Sequence, residues 1–565
     1  MDIFDFDSDS ESEFYGFNNV TGDLSDIEVS SVSSVSSEES DNNQDDFQLE
    51  EPEWISDNFT HVDTDPFTQN IGPNLPDTFD AETATPVDYF KLFLTDDILA
   101  EVTRNSNRYA SYLDGQKKLK NPNYVNKTWY PCEHAEIQAY FGLNIMFGLT
   151  KAPSLRSYWS SDQFLGNEGV KSVMTCRRFE ALSECLHIND RESEIPKHAE
   201  HYDILAKVRP LMKKFSKSFP LYMYPSREQA IDEGMVAFKG RVKYLQYMKM
   251  KPVKRGIKVW IRADSPSGYV QQFDVYLGSR KKQGLPASKN GVYFDVVDNL
   301  CKPLFYNNHC IYFDNLYTSI PLLLHLLHND VYACGTIRAN KKYLPDLVRK
   351  PGKMARGEMK VFQDEKSENL TACVWQDTKQ VRFASTCDQA DNAQDALRRV
   401  AGQNMPVLQP QAAHSYGKFM GAVDLFDMLR SKYKTGRCSK KSWKYLLWFL
   451  IDAAVVNAFI LHKQATRRPL PPKYCNLTFR HELAIGLIAG FSSRHRKRGP
   501  QPTHMRFNAV ENVHDHGNEH MMRGARKCCH HAKKYPTHAP KRTVYGCTLC
   551  KVHLCKECHY DFHIN

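Results

Sequence analysis

The chain has 565 residues and a net charge of +8, from 74 Lys and Arg against 66 Asp and Glu. That average conceals a split: residues 1–90 carry 24 acidic and no basic side chains, leaving 74 basic against 42 acidic, a net +32, over residues 91–565. At about 150 residues per domain the length makes three or four units, an acidic tail on a basic body points to a polyanion partner such as nucleic acid, and the absence of any unbroken run of about 18 apolar residues or of a secretory leader excludes membrane and secreted classes from the expectation.

Residues 1–85 are rich in Asp, Glu, Ser and Asn, and the serine run 30–40 is of low complexity. Such a composition cannot bury enough apolar surface to offset ordering entropy, so disorder is expected. Ser8, Ser10 and Ser37 sit among acids, a setting for acidophilic kinases, although a solubilising tail explains it as well. From Pro86 the pattern turns helical, with Tyr89, Phe90, Phe93, Leu94 and Ile98 recurring at helical spacing. Residues 134–148, 176–188 and 206–215 read as further helices, making 86–225 one helical region. The period then changes. Ile257, Val259 and Ile261 alternate with Lys258, Trp260 and Arg262, as in a half-buried strand. A turn at 265–268 and a strand over 270–277 complete a hairpin. A helix over 292–301, a strand over 310–313, a helix over 320–327 and a strand over 331–337 follow, the order of an α/β sheet. Residues 339–412 are less regular, with strands expected to pair at 371–376 and 380–385, and read as an insertion. An apolar helix is predicted over 440–463, broken in hydropathy by Asp452 and Asn457. The basic run 493–498 reads as a linker, an import signal or a phosphate-contacting patch.

Three acidic positions stand out by context. Asp232 lies in Ala-Ile-Asp-Glu-Gly-Met-Val-Ala-Phe-Lys-Gly-Arg (230–241), and Asp314 closes Ile-Tyr-Phe-Asp-Asn (311–315). Asp424 and Asp427 share a helix face in Gly-Ala-Val-Asp-Leu-Phe-Asp-Met (421–428). Phosphodiester chemistry needs carboxylates at strand ends and on a nearby helix to hold two divalent metals about 4 Å apart, and Mg²⁺ prefers such hard oxygen ligands. Each acid taken alone suits a surface or capping role better. Downstream, Arg430, Lys432, Lys434, Arg437, Lys440, Lys441 and Lys444 interleave with Tyr433 and Trp443. Phosphate contact with base stacking explains this stretch; a solvated helix face with Trp443 in the core is the alternative.

Six of the 16 cysteines lie in 528–558. Cys528-Cys529-His530-His531, Cys547-x-x-Cys550, Cys555-x-x-Cys558 and His559-x-x-x-His563 supply four ligand pairs, enough for two tetrahedral zinc sites. So short a segment has little core, and metal would supply its folding energy. The short gap between the second and third pairs favours interleaved ligation. Cys528, His531, Cys555 and Cys558 are assigned to one zinc and Cys547, Cys550, His559 and His563 to the other, with Cys529, His530 and His553 left as alternatives. A RING- or PHD-like interaction module would share this spacing, but the surrounding Lys and Arg favour DNA.

Long motifs in order carry a resemblance. The 230–241 segment, Lys-Pro-Val-Lys-Arg-Gly-Ile-Lys-Val-Trp (251–260), Phe-Asp-Asn-Leu-Tyr-Thr-Ser (313–319), Cys-Gly-Thr-Ile-Arg (334–338) and Gly-Ala-Val-Asp-Leu-Phe-Asp (421–427) together resemble the piggyBac transposase family. Asn-Arg-Tyr-Ala (107–110) and Tyr-Trp-Ser (158–160) are similar to its N-terminal helical region. The resemblance implies a multidomain α/β chain: an acidic tail (1–85), a helical DNA-binding and dimerisation region (86–225), and an RNase H-like core (226–338 and 413–435) interrupted by an insertion (339–412). A helical, basic DNA-binding continuation and linker (436–524) and a zinc-binding cysteine-rich domain (525–565) would follow.

It further implies a nuclear homodimer that cuts and pastes DNA, acting on double-stranded terminal inverted repeats through hairpin ends and joining them to TTAA targets. Asp232, Asp314 and Asp424 would be catalytic and hold Mg²⁺ or Mn²⁺, with Asp427 beside them. Arg437, Lys440, Lys441, Trp443 and Lys444 would contact DNA, and the cysteine-rich domain would recognise the transposon end. A domesticated DNA-binding descendant without transposition activity is the alternative. Topology tests the first aspartate separately. An RNase H-like core places a hairpin and a helix between its first and second aspartates. Asp232 leaves 256–263, 270–277 and 292–301 before Asp314, whereas Asp264 leaves one strand only. Glu233 should face the opposite side of the strand from Asp232.

Overall fold

The computed structural model describes residues 50–564 apart from 127, 197–198, 200–201, 250, 279–287, 401–402, 437–438, 467–470, 472, 494–517, 521–523, 536–538 and 540. A ten-stranded mixed sheet organises the α/β fold. Its order is Trp54–Ile55, Met359–Asp364, Thr371–Gln376, Gln380–Ser385, Val331–Thr336, His309–Phe313, Glu228–Ala237, Arg255–Asp264 and Leu245–Tyr247, with Val270–Val275 also paired to Arg255–Asp264. Glu228–Ala237, His309–Phe313 and Val331–Thr336 run parallel; the other pairings are antiparallel. Parallel neighbours require crossovers, and the helices Val292–Cys301 and Ile320–His328 supply them.

Strand alternation divides the apolar side chains between two cores. On one face Ala230 and Val236 join the large core shared with the helices. On the other, Ile231, Ile311 and Phe313 pack with Val297, Leu300, Leu322 and Leu323. The expected strands at 371–376 and 380–385 do pair, from Thr371↔Ser385 to Gln376↔Gln380. Within the region read as an insertion they extend the central sheet. Phe383↔Thr336 and Ser385↔Cys334 join them to the central sheet, and Ala372, Val374 and Ala384 share its second core.

The disorder expected through residue 85 does not extend over 52–85. Trp54–Ile55 adds an edge strand against Gln363 and Asp364. Trp54 Nε1 donates to the Tyr343 carbonyl at 2.9 Å. The amides of Gln363 and Gln389 each bond both ways to the backbone, at Thr60 and Val62, and Val62 is buried. An acidic average hides these few apolar anchors, and the side-chain amides of Gln363 and Gln389 satisfy a backbone that forms little regular structure of its own.

The helical body draws on both ends of the chain. Pro86–Lys91, Asp96–Lys120, His134–Leu149, Cys176–Cys185 and Arg209–Tyr222 come before the strand Glu228–Ala237, and Ser442–Ala465 and Asn476–Ile488 come after the last strand of the sheet. Phe90, Phe141 and Phe215 share one core with Leu447, Val455 and Leu483. A Cβ on Gly142 would lie 2.8 Å from the Ala484 carbonyl, so glycine permits this close helix crossing. Ser442–Ala465 is long and apolar enough to cross a membrane, yet it is enclosed in protein. Its two polar breaks are structural: Asp452 accepts from Arg480 at 3.0 Å, and Asn457 bonds both ways to the Val270 backbone.

Candidate active site and cysteine-rich module

Asp232 and Asp314 meet through strand register. Glu228–Ala237 and His309–Phe313 pair in parallel up to Ile231↔Phe313. The next residue on each strand is an aspartate, so the two acids stand side by side at the carboxyl end of the pair. The third acid arrives by packing. Helix Ala422–Lys432 lies on the face of Glu228–Ala237 that carries Asp232, with Asp427 Oδ1 only 3.9 Å from where a Cβ on Gly234 would sit. Asp427 is held by Arg430, at 3.1 Å from Nε and 2.9 Å from Nη2. Asp424, one turn earlier, is exposed. The competitor Asp264 is occupied by a turn. Its Oδ1 accepts from the Ser226 backbone and from Gln229, and its Oδ2 from Ser267.

Burial and charge set the protonation of these groups. Burial pushes the Asp232 carboxyl up to about 7, with the Glu233 charge adding to the rise and Lys251 opposing it. Burial also raises Asp314, and Lys251 and Arg338 moderate it. Glu233 turns to the opposite face, where Tyr317 Oη donates to it at 2.9 Å and Lys258 Nζ lies 4.0 Å away. Burial works to raise Glu233, but Lys258, the Asp232 carboxyl and Tyr317 hold it below its ordinary value. Among the described residues the three aspartates do not close into a cluster with oxygens all within 4.8 Å of one another. Like charges repel, and the basic side chains between them compensate only in part.

The cysteine-rich module is tighter. Cys528, Cys555 and Cys558 have sulfurs within 4.8 Å of one another, and His531 Nδ1 lies 3.7 Å from both Cys555 Sγ and Cys558 Sγ. Cys547, His559 and His563 form a second group, with Cys550 Sγ 3.5 Å from His563 Nε2. The module therefore brings together both assigned ligand sets and is able to bind metal. Cys529 is exposed, and His553 Nδ1 contacts the Thr543 carbonyl at 3.2 Å. Apart from Leu554, with Tyr535, Val552 and Phe562 against it, the small core consists of the cysteines themselves.

A family model described as Transposase IS4 matches residues 85–459. The chain belongs to the piggyBac-type transposase family. Human PiggyBac transposable element-derived protein 5 is 26% identical over 394 residues, which cover 68% of this chain and 71% of that protein. Human PiggyBac transposable element-derived protein 3 is 25% identical over 506 residues, 86% of this chain and 78% of that protein. The cryo-EM structure of a piggyBac transposase synaptic complex with hairpin DNA shares the fold, with a TM-score of 0.64 and 24% identity over 87% of this chain and 100% of that one.

Within this piggyBac-type frame, two of the five expected DNA contacts are engaged inside the protein. Trp443 is buried in the helical core, with its ring edge-on to His187. Lys444 Nζ donates to the Ser183 carbonyl, and burial lowers its ammonium to about 8. The alternating basic and aromatic pattern here is that of an amphipathic helix start, with Trp443 on the inner side. Lys440 and Lys441 are exposed, and Arg437 lies outside the described residues. So do the arginines and lysine of 494–498. Sequence reasoning assigned no role to Lys251, Lys258, Tyr317 or Arg338, although all four lie inside the quoted motifs. Motif membership was the available signal; only the fold shows that Lys251 and Arg338 act on the aspartates while Lys258 and Tyr317 hold Glu233.

Proposed function

We propose that this chain is a cut-and-paste DNA transposase whose aspartates cleave and rejoin DNA strands. The observation that carries the reading is the register Ile231↔Phe313, which sets Asp232 beside Asp314 while the Asp424 helix packs on the same strand at Gly234. The succession of an Asp232 strand, a hairpin, a helix and a strand ending at Asp314 supports an RNase H-like core. Asp232, Asp314 and Asp424 offer the hard oxygen donors that suit Mg²⁺ or Mn²⁺. Bound there, such metal would activate the attacking hydroxyl and stabilise the leaving oxygen. The chain's own part is positional: the parallel strands fix two carboxylates, the helix brings the third, and Lys258 and Tyr317 anchor Glu233 behind them. In the strand exchange, a 3′-hydroxyl or water oxygen bonds to phosphorus and loses its proton as the P–O3′ bond breaks, with no covalent enzyme intermediate.

Nicking, hairpin ends and joining at TTAA follow from the family resemblance, as do a nuclear location and a homodimer that holds two ends together. The exposed Lys440 and Lys441 suit phosphate contact. The cysteine-rich module suits two Zn²⁺ ions, with its flanking Arg526, Lys527 and Arg542 suited to reading the transposon end.

Cleavage of DNA bearing the repeats that flank the chain's own gene tests the proposal, with Mg²⁺ present and Asp314→Asn as the control. Hairpinned ends from the unmodified chain alone are expected. Tight end binding without cleavage would favour a domesticated DNA-binding protein, a reading that the relatives' transposable element-derived names keep in play. Neither binding nor cleavage would overturn both.

A further inference from the structure

Among the described residues Lys251 is the cation that pairs with Asp232. Its Nζ donates to Asp232 Oδ2 and to the Glu233 carbonyl oxygen, both at 3.3 Å. The charges of Glu233 and Asp424 act on it as well, so it lies in the combined field of the strand acids and the helix acid. It comes from the connection between Leu245–Tyr247 and Arg255–Asp264, where its own backbone N–H donates to the Met248 carbonyl at 3.3 Å and Met248 N–H donates to the Lys254 carbonyl at 2.7 Å. The backbone is thus held while the four-carbon stem is free to withdraw the ammonium. By contrast Lys258 is buried against Glu233 and Trp260.

We infer that Lys251 is the resident counter-cation of the aspartate site, which a divalent metal must displace from Asp232, so that this one side chain sets the metal affinity of the DNA-free protein. The inference rests on the proposal that Asp232, Asp314 and Asp424 hold the catalytic metal. Its physical basis is Coulombic. A unit positive charge in hydrogen-bond contact with a ligand oxygen both occupies that oxygen and repels an incoming dication. The same ammonium explains how a buried carboxylate is tolerated beside Glu233 before metal arrives.

The test is Mn²⁺ binding to the full-length, zinc-loaded protein without DNA, followed by electron paramagnetic resonance. It compares the unmodified chain with Lys251→Met, Lys251→Arg and Asp314→Asn. Lys251→Met is expected to bind Mn²⁺ about tenfold more tightly, because a competing charge is gone. Lys251→Arg keeps the charge and is expected to stay within about twofold of the unmodified protein. Tightening is the opposite of what a folding defect produces, so the direction of the effect separates the two causes. Equal or weaker binding in Lys251→Met would overturn the role given to Lys251. Loss of the Mn²⁺ site in Asp314→Asn is the check on the underlying reading. If Asp314→Asn leaves binding unchanged, the aspartates are not the metal site and the failure lies there, not with the lysine alone.

Discussion

The aspartate site and the cysteine-rich module assemble ligand sets by opposite routes. The aspartates stand at positions 232, 314 and 424, and only register and helix packing bring their carriers together. The cysteines and histidines span 528–563 and meet through two short β-pairings and a helix. Their packing also differs. Burial, with the neighbouring cysteines, pushes the thiols of Cys550 and Cys558 up to about 12, and a protonated sulfur crowds its neighbours at little Coulombic cost. Carboxylates cannot, and they recruit Lys251 and keep their spacing. The site built from distant residues is therefore held by a scaffold whose core lies outside the aspartates. The local module has almost no core beyond its own cysteines, so metal bound there would contribute its stability.

This contrast predicts where each substitution acts. The largest effect is expected at the aspartates: Asp232→Asn, Asp314→Asn and Asp424→Asn should each abolish strand cleavage, while end binding and thermal unfolding change little. Asp427→Asn should retain cleavage, since Arg430 already engages that carboxylate; full loss there would bring Asp427 into the site. For the module the pattern reverses. Structural zinc contributes roughly 10–16 kcal/mol to folding of such modules, so a strong chelator should make residues 525–564 protease-sensitive while the core stays intact. Protease resistance of the chelated module would break the comparison. Next comes the scaffold. Asp452→Ala leaves Arg480 buried and uncompensated, and should lower stability by about 3–5 kcal/mol in urea unfolding, a change that no exposed ion pair of this chain should match.

The smallest effect concerns acid. Burial lowers His187 to about 4, with Lys207 adding to the drop, and burial and then Arg262 lower His309 to about 4. A histidine depressed in the folded state leaves the unfolded chain binding more protons between pH 4 and 6.5. Its contribution is thus fully present above pH 6.5 and is lost as pH falls towards 4. Each shift corresponds to roughly 3 kcal/mol. Urea midpoints should fall between pH 7 and pH 5, and His187→Gln should flatten that slope; a flat profile in the unmodified protein would contradict the burial of both rings.

Local pattern made much of the sheet legible. Period-two alternation marked 256–263, a four-residue turn marked the hairpin, and apolar runs ending in aspartate marked the strand before Asp314. The cysteine pairs declared themselves through spacing alone, because their geometry is set within a few residues. Averages misled where single side chains decide. Trp54 and Val62 fasten an acidic segment to the sheet, and Trp443 turns inward from a basic stretch. Lys251 on Asp232, Tyr317 on Glu233 and Gly142 beneath Ala484 join positions separated by tens to hundreds of residues. By itself the sequence determined which residue types stand at strand ends and at ligand spacing, since those follow from backbone periodicity. Which of them share a site was decided by tertiary structure, because strand register and helix docking minimise the energy of the whole core and leave no local trace.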